Sequence, residues 1–424
     1  MGMTAIEKIL ARACGRDAVR PGDVIHPDPE LVIVHDGYVV AAKRELDGLG
    51  VTRLRHPERV MFVTDHEVVY ANAAAADRGR AIRAAARDWG VGHFYDVGQG
   101  GHGHVFPMET GHVRPGMFLF AYDMHCTNFG AIGALALRTG SEITTVLATG
   151  TLWTVVPVTV RVRLEGRLAP GVMARDVGFR LACDLVAGRH GIDPDYKALE
   201  MTGPGLAGLS LSERVALCNT VTEIGACAVF FPPDEAILAW CRARSTGPFE
   251  AVHPDPDARY EGEIHIDLDA LGPQVALPGA PENAVDLAEV AGQPVDHAVI
   301  GSCGSGMWDD LVAAADILRG RRVAPGVRLV VTPGTQESAR RLASEGLMET
   351  FVAAGALVLP PGCGPCAGGV TAPVGAGEVS IATAATNHAG RMGARDARIF
   401  LGSPATVAAS AVAGRIADPR AVPA

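Results

Sequence analysis

From His297 onward the chain alternates short apolar strands with amphipathic helices, and this alternation limits the fold more than any other feature. His297 to Ile300 reads as a strand, Gly301 to Gly306 as a turn, and Trp308 to Leu318 as a helix. A strand at Val327 to Val331, a helix through Leu342 and a strand at Ala356 to Leu359 follow. Such alternation implies a mostly parallel α/β layer, whose chemistry sits in the loops beyond the strand carboxyl ends. Cys303 and Cys363 both fall in loops of that kind. At ~150 residues per domain, 424 residues suggest two to three domains, and 48% apolar content is ample for a large core. The 51 glycines, set against 5% aromatic residues, favour tight turns and close backbone approaches over aromatic packing.

Composition shifts near Arg161 to Pro170 and over Pro254 to Pro281 divide the chain into expected α/β domains at 1–160, 161–280 and 281–424. Thr4 with Glu7 marks a capping box opening an amphipathic helix, with no signal peptide expected before it. Ser210 with Glu213 marks another helix start. The uncharged stretch Ile143 to Val160, rich in Thr and broken by Gly150 and Pro157, is expected to form buried strands and a turn, not a membrane span. With 37 basic and 47 acidic side chains the net charge is −10, which opposes nucleic-acid binding. Nine cysteines are too few for a disulfide scaffold and an odd number, so reduced thiols in a cytoplasm are expected.

Cys363-Gly364-Pro365-Cys366 admits several chemistries. A redox C-x-x-C opens a helix whose N-terminus lowers the thiol pKa, and Ala367-Gly368-Gly369 open a helix poorly. A zinc site wants four ligands, and no second pair is near in sequence. An iron-sulfur site needs a further thiolate, for which Cys303 is the candidate. A purely structural pair is the remaining reading. Three thiolates on a four-iron cluster would leave one iron open, able to act as a Lewis acid on a hydroxyl or carboxylate. Cys14, Cys126, Cys183, Cys218, Cys227 and Cys241 read as buried or incidental.

Gly98 to Gly103 matches G-x-G-x-x-G after an apparent strand, His93 to Val97. Because His104-Val105-Phe106-Pro107 is a poor helix start, dinucleotide binding is rejected. His93, His102 and His104 in this neighbourhood are of more interest, although a lone histidine is more often structural. Asp65-His66 follows the strand Val60 to Val63, and Asp123-Met124-His125 follows Met117 to Tyr122. A carboxylate beside an imidazole fixes its tautomer and raises its basicity, so two such pairs at strand ends point to acid/base work.

The segments Val63 to His66, Asp123 to Ala131, Gly301 to Cys303, Pro361 to Cys366, Gly390 to Gly393 and Ser403 to Ala411 occur in the order and approximate spacing of the aconitase superfamily. Over essentially its whole length the chain resembles that superfamily's isopropylmalate dehydratase large subunits. The resemblance implies a three-domain α/β/α body around a central 4Fe-4S cluster with one open iron, held by Cys303, Cys363 and Cys366. It implies a hydro-lyase that interconverts hydroxydicarboxylates of the 2-/3-isopropylmalate type through an alkene, as in leucine biosynthesis. By position, Asp65, His66, His104, Asp123, His125 and Glu223 are similar to the family's catalytic groups, and Asn128, Asn219 and Arg391 to its substrate-binding groups. The resemblance implies a large subunit without the swivel domain of single-chain aconitases, so a separate small subunit is expected, without which the chain should be nearly inactive.

The sequence departs from the family pattern at Met124 (usually Ser), at Gly304-Ser305 (usually Thr-Asn) and at Ala385-Thr386-Asn387-His388 (usually Asn-Arg-Asn-Phe). Thr386 cannot replace an arginine's bidentate carboxylate contact, so altered substrate recognition is expected, as in a homoaconitase-like or pathway-specific malate-derivative isomerase. Two rivals come from other classes. A thiol-disulfide oxidoreductase using Cys363 and Cys366 would not need Cys303, and a cluster-binding regulatory protein that binds RNA is opposed by the acidic balance.

Overall fold

A computed structural model describes residues 2–421, which form a mixed α/β structure of two compact units. Among the described residues the first comprises 2–163, 195–203 and 225–265, the second 164–194, 204–224 and 266–421. No helix among the described residues is long and apolar enough to cross a membrane.

In the first unit, β1 (Leu31–His35), β2 (Val60–Val63), β3 (His93–Tyr95), β4 (Phe118–Ala121) and β5 (Leu135–Arg138) pair in the order β3-β2-β1-β4-β5, every pair parallel. Except for His35 at its end, β1 is continuously apolar, as are β2 and β4, and all three are buried along their length, as strands covered on both faces must be. The order reverses at β1: β2 and β3 add on one side of it, and β4 and β5 then add on the other. Ligands of open parallel sheets bind at this switch point. A second sheet, built from β6 (Thr159–Glu165), β7 (Ala198–Thr202), β8 (Ala228–Phe230) and β9 (Glu263–Asp267), has the order β8-β7-β6-β9.

The second unit repeats the same topology without repeating the sequence. Its strands β10 (Gln274–Ala276), β11 (Ala284–Asp286), β12 (His297–Gly301), β13 (Arg328–Thr332), β14 (Leu357–Val358), β15 (Val379–Ala382) and β16 (Arg398–Leu401) lie in the order β11-β10-β16-β15-β12-β13-β14. The last five are parallel, and the order reverses at β12. Buried side chains of β12, β13 and β15 pack with helices α1 (Trp308–Leu318) and α2 (Pro404–Ala413) in one core.

The capping boxes at Thr4 and Ser210 form as the sequence implies, each with reciprocal side-chain and backbone hydrogen bonds. The stretch expected as strands from Ile143 differs. Ile143–Thr149 is a helix closed by Gly150 at φ 93°, and strand begins only at Thr154. β-branched residues resist helix weakly, and burial of Ile143, Val146 and Leu147 outweighs that preference. The Thr144 hydroxyl donates to Glu45 Oε1 (3.2 Å) and that of Thr149 to the Thr145 carbonyl (2.8 Å), so both hydroxyls are satisfied within the helical arrangement. Pro107 likewise does not prevent a single helical turn at Phe106–Glu109, because it stands in the first turn, where no N–H is required.

Gly130 carries a backbone crossing: a Cβ there would lie 1.6 Å from the Val229 carbonyl oxygen. Gly37 has nothing within 4 Å of its equivalent position. Gly130→Ala should therefore destabilise the chain by about 1–3 kcal/mol or more through overpacking. Gly37→Ala, inside a helix, should be neutral or stabilising by up to about 1 kcal/mol. Urea unfolding midpoints of the two variants check the opposite signs.

Candidate active site

Because all strands of the five-stranded sheet are parallel, the residues following β1, β2 and β4 emerge at one edge. Asp65 is the hub there, wholly buried. Its Oδ2 meets His35 Nδ1 at 2.9 Å and accepts from the Gly103 backbone N–H at 2.8 Å, while its Oδ1 meets His66 Nδ1 at 2.7 Å. His102 Nδ1 stands 3.4 Å away. Gly103 has to be glycine, since a Cβ would sit 2.7 Å from His35 Cε1. Asp36 Oδ1 adds a second acceptor 3.2 Å from His66 Nδ1.

Beside this hub stands a second group. Asp123 caps the 3-10 segment Met124–Ile132, accepting from the His125 backbone N–H (3.0 Å), and its Oδ1 lies 2.9 Å from His125 Nδ1 and 3.6 Å from His104 Nε2. The His35 and His104 rings are 4.3 Å apart, which joins the two groups into one array. Asn128 is buried in the same 3-10 segment.

Environment separates the protonation states. Burial opposes the ionisation of Asp65, but His35, His66 and His102 outweigh it and hold the carboxyl well below its usual range. Burial likewise opposes Asp123, and His125 outweighs it. His66 is pushed down by burial and more strongly up by Asp65 and Asp36, so it ends well above 6.5, a charged imidazolium able to donate a proton. Burial drives His104 well below 6.5 and His102 to about 3, so both stay neutral.

In the second unit the loops after β12, β13 and β14 interlock around three buried free thiols. Gly301 has φ 123°, and a Cβ there would lie 1.8 Å from the Thr332 carbonyl oxygen. The Thr383 hydroxyl accepts from the Gly301 N–H (2.8 Å) and donates to its carbonyl (3.1 Å). The residues expected as a turn form one helical turn, Ser302–Ser305, that presents Cys303. Ser302 is held at φ 67°, an uncommon conformation for a non-glycine residue. Gly364, at φ 60°, packs on Thr332, placing Cys363 and Cys366.

Each sulfur faces a donor. Asn219 Nδ2 donates to Cys303 Sγ (3.3 Å), Arg391 Nη2 to Cys366 Sγ (3.6 Å), and the Ser302 hydroxyl lies 3.9 Å from Cys363 Sγ. A hydrogen bond between Cys363 and Cys366 raises the first thiol and lowers the second, and Arg391 favours charge on Cys366. Sulfurs that accept hydrogen bonds from separate side chains suit metal-bound thiolates, so the residues fit an iron-sulfur cluster. Asn219 and Glu223 stand one turn apart at the end of the helix Leu211–Thr222, and Glu223 acts on Arg391 electrostatically.

His35, Asp36 and Arg175 join the residues expected from sequence. The first two follow the same rule as Asp65 and Asp123, a polar residue ending an apolar strand, and were legible on that ground. His93 stays outside the array and packs on His112, ring centroids 4.6 Å apart. Thr386 is buried, Asn387 Nδ2 donates to the Leu277 and Ile399 carbonyls (2.8 Å each), and His388 is exposed.

Residues 7–414 match the model of the aconitase family (aconitate hydratase). The chain belongs to the aconitase family, a family of hydro-lyases whose members bind a 4Fe-4S cluster. Among its relatives is the 3-isopropylmalate dehydratase large subunit 1 of Methanopyrus kandleri, 42% identical, with 99% of each chain covered. The corresponding large subunits of Moorella thermoacetica and Syntrophus aciditrophicus are 40% and 38% identical, covering 100% and 99% of both chains. A solved structure, Thermococcus kodakaraensis aconitase X in its holo form, superposes with a TM-score of 0.49 at 12% identity, covering 90% of this chain and 89% of that one.

His102 gives a signed pH prediction. Below pH 6.5 the unfolded chain protonates this residue, whereas the folded chain does so only near 3, so stability falls as pH drops across that window. His102→Asn keeps an acceptor for the His104 N–H, which lies 3.3 Å from His102 Nδ1, and should flatten that acid limb. The urea midpoint measured from pH 7 to pH 4 reads the difference. His66 has the opposite sign: its contribution is full below 6.5 and is lost as pH rises through its raised value.

Proposed function

We propose that this chain is the large subunit of a 4Fe-4S hydro-lyase that interconverts hydroxydicarboxylates of the 2-/3-isopropylmalate type through an alkene. The observation that carries the reading is the set of three buried thiols, each facing a separate donor, in a chain whose relatives match it from end to end. Cys303, Cys363 and Cys366 would hold the cluster, which when bound supplies a Lewis-acidic iron for a substrate hydroxyl and carboxylate. His66, kept charged by Asp65 and Asp36, protonates the departing hydroxyl oxygen. His35 and Gly103 hold Asp65 in place, and Asp123 orients His125. Arg391 binds a substrate carboxylate through its planar fork, Asn128 and Asn219 position the substrate, and Glu223 serves as a further acid/base group.

Several observations support the rest of the reading. Cys363 and Cys366 are almost fully buried and open no regular helix, which disfavours thiol exchange. Relatives called large subunits support a separate small subunit as partner. Nine free cysteines support a cytoplasmic location. Three domains at 1–160, 161–280 and 281–424 are supported by one sheet of four or more strands falling mainly within each interval. Thr386, in a loop that Asn387 ties down, supports a substrate whose carboxylate is read differently from that of the usual leucine-pathway enzyme.

Anaerobic reconstitution of the full chain should give iron and acid-labile sulfide near cluster stoichiometry, with impaired loading in Cys303→Ser. Equal loading in that variant would reject the ligand set. With a small subunit present, alkene formation followed by absorbance over a panel of 2- and 3-hydroxydicarboxylates should identify the substrate, and His66→Asn should lower kcat by about 10²–10⁴.

A further inference from the structure

Arg175, near the start of the helix Ala174–Val186, is completely buried, yet its guanidinium is under-used. Nη2 donates to the Ala384 carbonyl, while Nε and Nη1 have no acceptor among the described residues. Its plane lies over the Phe179 ring, 5.2 Å from the centroid. The carboxylates whose field it feels are engaged elsewhere. Asp310 accepts from the Met307 N–H, and Asp176 from the N–H groups of Met173 and Gln274. An arginine cannot shed its charge, and a buried cation without a partner is strongly unfavourable, so this one calls for an anion.

The neighbours show which anion. A Cβ built on Gly304, the residue after Cys303, would lie 2.8 Å from Arg175 Nη1 and 2.4 Å from Asn219 Oδ1. Asn219 is the residue that donates to Cys303 Sγ. The field of the guanidinium acts on both Cys303 and Cys366. Arg391, by contrast, is only half-buried and can meet a substrate, whereas Arg175 has no exposed surface through which a substrate could reach it.

We propose that Arg175 is a positioning and charge-balancing residue for the cluster, its permanent charge and the N–H groups of two unpartnered nitrogens, Nε and Nη1, held for the anionic assembly carried by Cys303, Cys363 and Cys366. The inference rests on the reading of those thiols as cluster ligands. It explains why Gly304 has no side chain: any substituent there would force the guanidinium and the Asn219 amide away from Cys303. A positive charge beside a cluster stabilises its reduced form, so removing Arg175 shifts the midpoint potential downward. It also speeds loss of iron, because the buried thiolates lose their compensating cation.

The test compares parent, Arg175→Met and Arg175→Lys as full chains, metal-free and anaerobically loaded, by iron and sulfide content, midpoint potential and thermal unfolding. In Arg175→Met the metal-free chain should melt at or above the parent temperature, because an unpaired buried cation has been removed. Its gain in melting temperature on loading should shrink, its potential should fall, and its iron should be lost faster. Arg175→Lys should restore the potential in part without restoring iron retention, since it keeps the charge and loses the fork. Equal lowering of both melting temperatures by Arg175→Met, with the potential unchanged, would make Arg175 a packing residue and overturn the proposal. A parent chain that binds no iron would overturn the ligand reading and the proposal with it, and that failure shows in the parent alone.

Discussion

Parallel strand pairing is the constraint on which the rest depends. A parallel ladder sends every strand out of the sheet at the same edge, so residues far apart in sequence emerge side by side. In the first unit this brings together His35, Asp65 and Asp123 from the ends of three adjacent strands. In the second it brings Cys303 near the loop of Cys363 and Cys366, with β13 between their strands. Both sheets reverse strand order beside the strand that carries the first of these residues, so two unrelated stretches of sequence meet the same geometric requirement by the same winding.

The two clusters of chemistry then differ in how they manage buried charge. The histidine array is self-compensating: Asp65 and Asp123 stay ionised because imidazoles surround them, and those imidazoles divide into a charged His66 and neutral His102 and His104. That division leaves one charged imidazolium, His66, beside two carboxylates that hold it in that state. The thiol set is not balanced within the protein. Arg175 brings a cation with no counter-anion of its own, and three sulfurs accept hydrogen bonds, a combination that makes sense around a bound anionic group.

Much of this was legible in sequence where the signal was local. The helix Trp308–Leu318 and the capping boxes at Thr4 and Ser210 follow from apolar spacing and from a side chain three residues away. Asp65-His66 and Asp123-His125 are close enough in sequence to be read as pairs, and both pairs form. What escaped was decided by packing at a distance. Ile143–Thr149 is helical because its apolar face finds a core, against the preference of its β-branched residues. His35 ends an apolar strand as visibly as Asp65 follows one, but that the two are partners is decided only when Asp65, thirty residues later, comes within 2.9 Å.

The sequence by itself determined the α/β class, the family, the candidate thiols and the Asp–His pairs, because each is written in short motifs or in hydrophobic period. Only the tertiary structure decided the protonation pattern of the array and the isolation of Arg175. A pKa depends on burial and on every charge nearby, and whether a buried cation has a partner depends on where carboxylates from other segments point. Neither quantity exists until the strands have paired.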